Sequence, residues 1–318
     1  MLTNKFLSIV VACYNDAGSV HEMIRRIHAS MKEITPNYEI IYVNDASPDG
    51  AQEVLMDTLK TERRLVVVTH ARNFGSQNAF TSGILQSKGE GVVIMDGDLQ
   101  DPPELIPRFA EKWLEGYEVV YGVRERRRSN IFLQAAYKIF YRIYRAMAYV
   151  NVPLDAGDFS LMDRKVAQIL ANMPERDRFL RGMRAWVGFK QIGVAYVRQE
   201  RFSGTSTNSF MDNFRWAKKG IFSLSYMPLE WISYIAGVVV LVTAVVIVFY
   251  VIVYFCIGAP PGFMTQLVLT LFLGGIQLLC LSIIAEYLGR IFEEVKQRPR
   301  FIVKSVYRHE DIAGKKSP

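Results

Sequence analysis

The sequence predicts an α/β domain with a mainly parallel, doubly wound sheet, followed by a hairpin of two membrane-spanning helices. Two observations lead to this prediction. Short β-rich runs alternate with helix-like segments between Phe6 and Gly122, which is the βαβ rhythm of a parallel sheet. Further along, no Asp, Glu, Lys or Arg occurs between Glu230 and Glu286. A charged globular part is therefore followed by a part suited to lipid.

The predicted strands cover residues 6–12, 38–44, 65–69, 91–95 and 118–122, and helix-like segments cover 20–31 and 53–60. In open parallel sheets, ligands bind at the carboxyl ends of the strands, near the point where the strand order reverses. Polar side chains that directly follow the strands are therefore the first candidates for a binding site.

The uncharged stretch is divided by Gly258-Ala-Pro-Pro-Gly262 into two arms, residues 231–257 and 263–285. Each arm exceeds the roughly 20 apolar residues that a helix needs to cross the hydrocarbon core. A buried helical pair in a soluble protein is the alternative, but such pairs rarely run this long without a charge. Cations flank the arms, at Lys218 and Lys219 before them and at Arg290, Lys296, Arg298, Arg300, Lys304 and Arg308 after them. The positive-inside rule then places both termini in the cytoplasm.

The chain carries 38 Lys and Arg against 31 Asp and Glu, a formal net charge of +7. Much of this excess flanks the apolar arms, where anionic headgroups attract it, so it does not indicate nucleic-acid binding. Cys256 and Cys280 lie in the arms and Cys13 ends the first strand. This pattern fits neither a disulfide framework nor a metal site, and it agrees with a reducing cytoplasm.

Polar clusters follow the predicted strands in series. Each could be a turn by itself, since Asn, Asp, Gly and Pro form turns, but a series along one sheet edge favours a ligand site. The clusters are Tyr14-Asn15-Asp16, Asn44-Asp45 with Asp49-Gly50, Arg72-Asn73-Phe74-Gly75, Asp96-Gly97-Asp98 with Gln100-Asp101, and Arg124 with residues 126–128.

The Asp96-Gly97-Asp98 motif places two carboxylates one residue apart at the end of a buried strand. The intervening glycine is expected to let a bulky ligand approach the backbone. Such a pair suits a hard divalent cation that is also held by diphosphate oxygens.

In order along the chain, these motifs resemble the inverting glycosyltransferase family 2, which has a GT-A (Rossmann-like) fold. The likeness is strongest to its polyprenyl-phosphate branch, which includes bactoprenol glucosyltransferases and dolichol-phosphate mannose synthases. The resemblance covers nearly the whole chain and includes Asp96-Gly-Asp-Leu-Gln-Asp-Pro102, Gly157-Asp-Phe159, Met162-Asp-Arg164 and the Glu286-Tyr-Leu-Gly-Arg290 that ends the hairpin.

The resemblance implies transfer of a sugar, with inversion, from a nucleotide-sugar such as a UDP-sugar to undecaprenyl phosphate or another polyprenyl phosphate. The product would be a polyprenyl-monophosphate sugar, made at the cytoplasmic face of a bacterial inner membrane. Mg²⁺ or Mn²⁺ would be the cofactor, and the resemblance also implies a homo-oligomer such as a tetramer.

The resemblance also implies roles for single residues at the donor site. Asp45 would hold the nucleobase in a pocket shaped by Tyr14 and Asn15, and Arg72 would lie near the sugar or the diphosphate. Asp96 and Asp98 would carry the metal, with Gln100 as a third ligand. These roles are chemically sensible, because a carboxylate can accept a uracil N–H and a cation can neutralise a departing diphosphate. For Asp45, an Asx turn before Pro48 is the alternative.

Arg124, Arg198 and Arg201 are candidates for the acceptor phosphate, since arginine presents a planar fork of donors. Arg198-Gln-Glu-Arg201 resembles an Arg-x-x-Arg loop of the family, but Thr207-Asn208 stands where relatives continue to a lysine. Ser76 and Gln77 likewise occupy positions where bactoprenol glucosyltransferases often carry Lys and Glu, which weighs against glucose as the donor sugar.

Two carboxylates, Asp155 and Asp158, are candidates for the catalytic group that takes a proton from the acceptor or orients its phosphate. The match of Gly157-Asp158-Phe159 to the family favours Asp158, and Gly157 is expected to leave room for a substrate. The alternative is that Asp158 caps the following helix.

The predicted organisation is a nucleotide-sugar-binding core over 1–129, an acceptor region over 130–228, two spans over 229–289 and a basic tail over 290–318. Segments 130–150 and 209–225 combine aromatic and basic residues, which is typical of helices lying in a membrane interface. For 130–150 an ordinary amphipathic helix packed on the sheet is the alternative.

Two other functions share features with this sequence. A processive polysaccharide synthase has the same fold and an Arg-Trp pair, here Arg215-Trp216, but it would carry Gln where this chain has Asp212 and would need more spans. A non-catalytic scaffold that binds nucleotide or lipid is the other alternative, and the intact Asp96, Asp98 and Asp158 argue against it.

Overall fold

A computed structural model describes residues 1–124, 156–198, 227–258 and 262–313 of the chain. The chain divides into two compact units. One comprises Met1–Trp216 together with Pro299–Pro318, and the other comprises Ala217–Arg298.

Within the described residues, the first unit is built on an eight-stranded sheet with the order β7-β5-β6-β4-β1-β2-β3-β8. Its strands are β1 (Leu7–Cys13), β2 (Tyr38–Asn44), β3 (Leu65–His70), β4 (Gly91–Asp96), β5 (Val119–Arg124), β6 (Ala156–Asp163), β7 (Gln191–Tyr196) and β8 (Val303–Arg308). In this sheet only β6 and β8 run antiparallel to the strands beside them. The order turns back between β1 and β4, which is where ligands bind in such sheets.

Helices cover both faces of the sheet. They are α1 (Val20–Ile34), α2 (Ala51–Leu59), α3 (Ser76–Gln86), α4 (Ile106–Leu114), α5 (Arg164–Asn172) and α6 (Leu180–Trp186). Helices α1, α2 and α4 share one apolar cluster with Ile9 and Val11 of β1. Helices α3, α5 and α6 share the other with Val10. Every residue of β1 is therefore buried, and all of them except Ser8 are apolar, as expected of a strand covered on both faces.

The predicted mainly parallel α/β domain is confirmed. Predicted strand 38–44 has the same bounds as β2, and the other predicted strands differ from β1, β3, β4 and β5 by one or two residues. Strands β6, β7 and β8 were not predicted, because polar residues and glycines dilute their apolar pattern.

The predicted basic tail contributes to the sheet. Residues 303–308 form β8, which pairs antiparallel with β3 from Val66↔Arg308 to His70↔Val303. Its side chains are only partly buried, as is usual at a sheet edge, so the sequence shows no apolar run there.

The second unit contains α7 (Met227–Ile257) and α8 (Phe263–Lys296). The stretches Leu229–Cys256 and Val268–Lys296 are long and apolar enough to cross a membrane, so the predicted helical hairpin is confirmed. Helix α8 continues past residue 289 and ends where Gln297 adopts φ +49°, a left-handed residue typical of helix ends. The chain then returns to the first unit, where α9 (His309–Ala313) follows β8.

Candidate active site

The carboxyl ends of β1, β2 and β4 bring the predicted donor residues to one edge of the sheet. The Asp45 amide donates to the Cys13 carbonyl (3.0 Å) and the Gly97 amide to the Ala12 carbonyl (2.8 Å), so the three loops leave the sheet side by side. The sequence prediction that the polar clusters meet at this edge therefore holds for the loops after these strands.

The loop after β1 is held by the loop after β2. The Asn15 amide donates to Ser47 Oγ (2.8 Å) and the Ala17 amide to Asp49 Oδ2 (2.7 Å). Asn15 itself adopts φ +60°, a region that Asn tolerates better than most residues. Tyr14 is 41% exposed, so its ring is available to a ligand at this edge.

Asp45 is buried, and both of its carboxylate oxygens are used inside the protein. Oδ1 accepts from His70 Nδ1 (2.7 Å) and from the Phe74 amide (2.9 Å), while Oδ2 accepts from the Gly75 amide (2.7 Å). In the structure the Asp45 carboxylate therefore holds the 72–75 loop by hydrogen bonds. Its role toward a nucleobase stays a prediction. The Asx contact in this region is made by Asn44, whose Oδ1 accepts from the Ser47 amide (2.9 Å).

Arg72 lies on the exposed side of the same loop. Its guanidinium carbon is 4.3 Å from the centroid of the Phe74 ring, and Nη1 donates to the Asn73 carbonyl (3.2 Å). This cation–π contact orients the side chain while leaving other guanidinium donors for an anionic ligand.

Asp96 ends β4 among other carboxylates. Burial raises its pKa from 3.8 to about 8, and the charges of Asp101, Asp158 and Asp98 contribute to this rise against the opposing effect of Arg124. The Asp98 side chain is buried, and its Oδ1 accepts from the Gln100 amide (3.1 Å). Several carboxylates therefore lie close together at this edge of the sheet.

This donor set fits a divalent cation. A Mg²⁺-type site takes one or two carboxylates and completes its shell with phosphate oxygens and water, and this edge offers the carboxylates of Asp96 and Asp98. In the described part of the chain, no three His, Cys, Asp or Glu side chains are grouped as a metal site. Asp96 and Asp98 are the residues that would hold the cation. The ligand role of Gln100 stays a prediction.

Gly97 serves packing more than ligand access. A Cβ at this position would lie 2.8 Å from the Ala12 carbonyl oxygen, closer than such contacts occur. The glycine therefore lets the loop of residues 96–101, called the metal loop below after its predicted role, lie against β1, which corrects the expectation that the glycine opens space for a ligand.

Asp101, which the sequence did not single out as a site residue, joins the metal loop to the predicted acceptor arginines. Its carboxylate is almost fully buried, and Oδ1 accepts from the Tyr196 hydroxyl. The same oxygen lies 3.8 Å from Arg124 Nη2 and 3.9 Å from Arg198 Nε. The structure thus brings Arg124 and Arg198 together, whereas Arg201 lies outside the described residues.

Asp158 lies within β6 and faces two partners. Arg181 donates from Nε to Oδ1 and from Nη2 to Oδ2, each at 3.1 Å, and Gln77 Nε2 donates to Oδ2 at 3.1 Å. Burial would raise the pKa of this carboxyl, but Arg181, with smaller effects from Arg184 and Gln77, lowers it overall. Asp158 is therefore ionised at neutral pH.

Two expectations about this motif are corrected. Asp158 does not cap the next helix, because that cap is Asp163, whose side chain accepts from the Lys165 amide (3.1 Å). The space beside Gly157 is not left for a substrate but is filled by the Arg124 guanidinium, 3.1 Å from where a Cβ on residue 157 would lie. Asp155 lies outside the described residues, as do segments 130–150 and 209–225.

The sequence analysis did not identify Arg181 and Arg184 as site residues, and it noted Gln77 only for the residue that relatives carry at that position. The Gln77 Oε1 accepts from the Leu180 amide (2.8 Å), and Arg184 Nη2 donates to the Gly157 carbonyl (3.1 Å). The available signal was a pair of arginines in a short helix, and nothing in that pattern pointed to Asp158.

The chain matches the family described as Glycosyl transferase family 2 over residues 8–170. It is 40% identical over 303 residues to the glycosyltransferase YkcC of Bacillus subtilis (strain 168), with 94% of each chain covered. It is 33% identical over 302 residues to the bactoprenol glucosyl transferase of Shigella phage SfX, covering 94% of this chain and 99% of the relative.

Among solved structures, the chain is similar to a mannosyltransferase from Pyrobaculum calidifontis in complex with GDP-Man and Mn²⁺. The TM-score is 0.47 and the identity 19%, over 68% of this chain and 61% of that one.

Proposed function

The chain belongs to glycosyl transferase family 2, and from this premise we propose that it transfers a sugar from a nucleotide-sugar to a polyprenyl phosphate with inversion. A relative named bactoprenol glucosyl transferase, aligned over almost its whole length, supports the lipid acceptor and makes UDP-glucose the first donor to test. Ser76 and Gln77 differ from the residues expected of glucosyl transferases, so other nucleotide-sugars are tested beside UDP-glucose.

One observation carries the proposal: acidic and basic groups meet at the edge of the sheet where β4, β5 and β6 come together. The carboxylates are Asp96, Asp98, Asp101 and Asp158, and the cations are Arg124, Arg181 and Arg198. A site with both a cation-binding pair and phosphate-binding arginines suits two substrates that each carry phosphate.

At the donor side, Asp96 and Asp98 would hold Mg²⁺ or Mn²⁺, which would neutralise the diphosphate as it leaves. Asp45 fixes the 72–75 loop, and Arg72 on that loop would bind the diphosphate or the sugar. Tyr14 and Asn15 would line the nucleobase pocket.

At the acceptor side, Arg124 and Arg198 would bind the lipid phosphate and aim one oxygen at the anomeric carbon. The new C–O bond forms there as the bond to the diphosphate breaks on the opposite face, which inverts the configuration. Orientation of this kind can supply several kcal/mol of the rate enhancement, up to roughly 7–11.

Asp158 is assigned an orienting role in this step. A phosphate monoester has a second pKa of about 6, so most of it has lost its second proton at neutral pH. A carboxylate whose pKa is lowered by Arg181 is also a poor proton acceptor. Asp158 would therefore act by holding Arg181 beside the reacting phosphates.

Membrane association is supported by α7 and α8. We place both termini and the first unit on the cytoplasmic side, because the cations flank the apolar arms, and we keep the homo-oligomer as part of the proposal. A processive synthase finds no further support, since the described residues contain two candidate spans. A non-catalytic scaffold that binds only nucleotide or only lipid would not need a cation-binding pair and phosphate-binding arginines in one site.

The direct test uses the purified full chain in lipid nanodiscs with undecaprenyl phosphate, Mn²⁺ or Mg²⁺, and a panel of nucleotide-sugars. We expect mass spectrometry to identify a lipid carrying one phosphate and one hexose, formed only when metal is present. Formation of a polymer would favour the processive alternative. Nucleotide binding without any transfer would favour the scaffold.

A further inference from the structure

Residues 300–302, which follow α8 and belong to the first unit, pack close to the 72–75 loop. Arg300 donates from Nη1 to the Met173 carbonyl (2.6 Å) and from Nη2 to the Ala171 carbonyl (3.1 Å), at the C-terminal end of α5. The Ile302 carbonyl accepts from the Ala71 amide (3.0 Å). Phe301 is thus fixed by polar contacts of the residues on both sides of it.

Phe301 stacks on His70. The ring centroids are 5.4 Å apart and the planes differ by 15°, while Phe74 meets the same imidazole edge-on at 5.7 Å and 83°. The His70 side chain is fully buried, and within the described part of the chain its Nε2 has no hydrogen-bond partner. The orientation of the imidazole is therefore set by two aromatic rings and by the Nδ1 contact to Asp45.

Asp45 passes this restraint to the loop. Its Oδ1 lies 2.7 Å from Nδ1 of His70, and its remaining bonds go to the Phe74 and Gly75 amides. Gly75 adopts φ +87° directly before α3 begins. A displacement of His70 would therefore disturb the turn that carries Arg72.

We propose that Phe301 and His70 are positioning residues for the nucleotide-sugar, an inference that rests on the proposed function. They hold Asp45, and through it the 72–75 loop, in the conformation that binds the donor. A residue from the far end of the chain thereby completes the donor site without contacting the substrate.

The first test is Phe301→Leu in the full chain in nanodiscs, assayed with UDP-glucose, Mn²⁺ and undecaprenyl phosphate. Leucine keeps apolar volume but removes the flat ring. Loss of the stabilisation that an aromatic pair provides should raise the KM for UDP-glucose about threefold to tenfold. The KM for undecaprenyl phosphate should stay unchanged. The matched control is Tyr307→Leu, because Tyr307 is a half-buried aromatic residue of β8 that pairs with Val67 and not with His70.

A second variant separates stacking from hydrogen bonding. His70→Asn keeps a donor near the position of Nδ1 but removes the ring, so it should reproduce the donor KM of Phe301→Leu. The donor KM of the double variant should be no higher than that of either single variant, since both substitutions remove the same contact. Thermal melts should show similar losses for Phe301→Leu and Tyr307→Leu, so that only the donor KM distinguishes them.

An unchanged donor KM in Phe301→Leu, an equal rise in Tyr307→Leu, or additive effects in the double variant would overturn the inference. Failure of the proposed function is seen separately and earlier, as a native chain that neither binds nor transfers a nucleotide-sugar. In that case the positioning role is overturned as well.

Discussion

Arg181 donates two parallel hydrogen bonds to Asp158, from Nε to Oδ1 and from Nη2 to Oδ2, each 3.1 Å long. This fork fixes the direction of both side chains at the same time. It also explains why the pKa of Asp158 is lowered although the carboxylate is buried. The pair should therefore behave as one unit in catalysis.

We expect Asp158→Asn and Arg181→Gln each to reduce kcat by about 100-fold, the loss that misplacement of a reacting group can cause. The affinity for the nucleotide-sugar should change little in either variant. The double variant should be no slower than the single ones, because residues that act together are not additive. Single-turnover rates with each substrate saturating would measure this.

The pH profile separates the orienting role from a general base. If Asp158 accepted a proton, removing Arg181 would raise its pKa and move the acidic limb of the kcat profile to higher pH. For the orienting role we expect Arg181→Gln to lower kcat at every pH without moving that limb. A near-native rate in Arg181→Gln beside an inactive Asp158→Asn would make Asp158 the base.

Arg124 is expected to serve the acceptor more than the donor. A hydrogen bond to a charged group is worth about 1.5–3 kcal/mol, so Arg124→Gln should raise the KM for undecaprenyl phosphate by roughly 10- to 150-fold. Arg201→Ala should behave in the same way. The control is Arg25→Gln, since Arg25 is an exposed residue of α1 whose salt bridge goes to Glu22 on the same helix. Equal increases in the KM for the donor and the KM for the acceptor would contradict the assignment of these arginines to the acceptor phosphate.

The central strands and the metal loop could be predicted from the sequence, because each is marked by a pattern of neighbouring residues. Strands β1 and β2 are buried on both faces, so most of their residues are apolar, with Ser8, Glu39 and Asn44 as the exceptions. The Asp96-Gly97-Asp98 motif is likewise contained in three neighbouring residues at the end of such a strand.

The residues that contact the site residues could not be predicted from the sequence, because the fold brings them together from distant positions in the chain. Arg181 lies 23 positions from Asp158 and His70 lies 25 positions from Asp45. Phe301 lies 231 positions from His70, and α7 and α8 lie between them in the sequence. The role of Gly157 was misread for the same reason, since Arg124, which fills the space beside it, comes from β5.

The topology can be tested by cysteine labelling. A single cysteine placed at Ala259, outside the described residues, should react with a membrane-impermeant maleimide only from the external side. Cys256 and Cys280 have to be replaced first, because both are free thiols in the spanning helices and could also react with the label. A cysteine placed at Lys304 in the tail is the matched control and should react only from the cytoplasmic side. Labelling of Ala259→Cys from the cytoplasmic side alone would reverse the proposed orientation.

Asp96 should couple metal binding to pH. Its pKa is raised to about 8 by burial and by neighbouring carboxylates, so between about pH 4 and 8 the folded protein binds a proton that the unfolded chain releases. The free energy of unfolding of the metal-free protein should therefore fall as pH rises through this range. Mn²⁺ competes with that proton, so the increase in Tm that Mn²⁺ produces should grow as pH rises toward 8.

Asp96→Asn should abolish both transfer and this increase in Tm while the protein still folds. Asp57→Asn, at an exposed carboxylate of α2, should leave both intact. Equal stabilisation by Mn²⁺ in the native protein and in Asp96→Asn, measured by thermal melts with EDTA as the metal-free reference, would place the cation elsewhere.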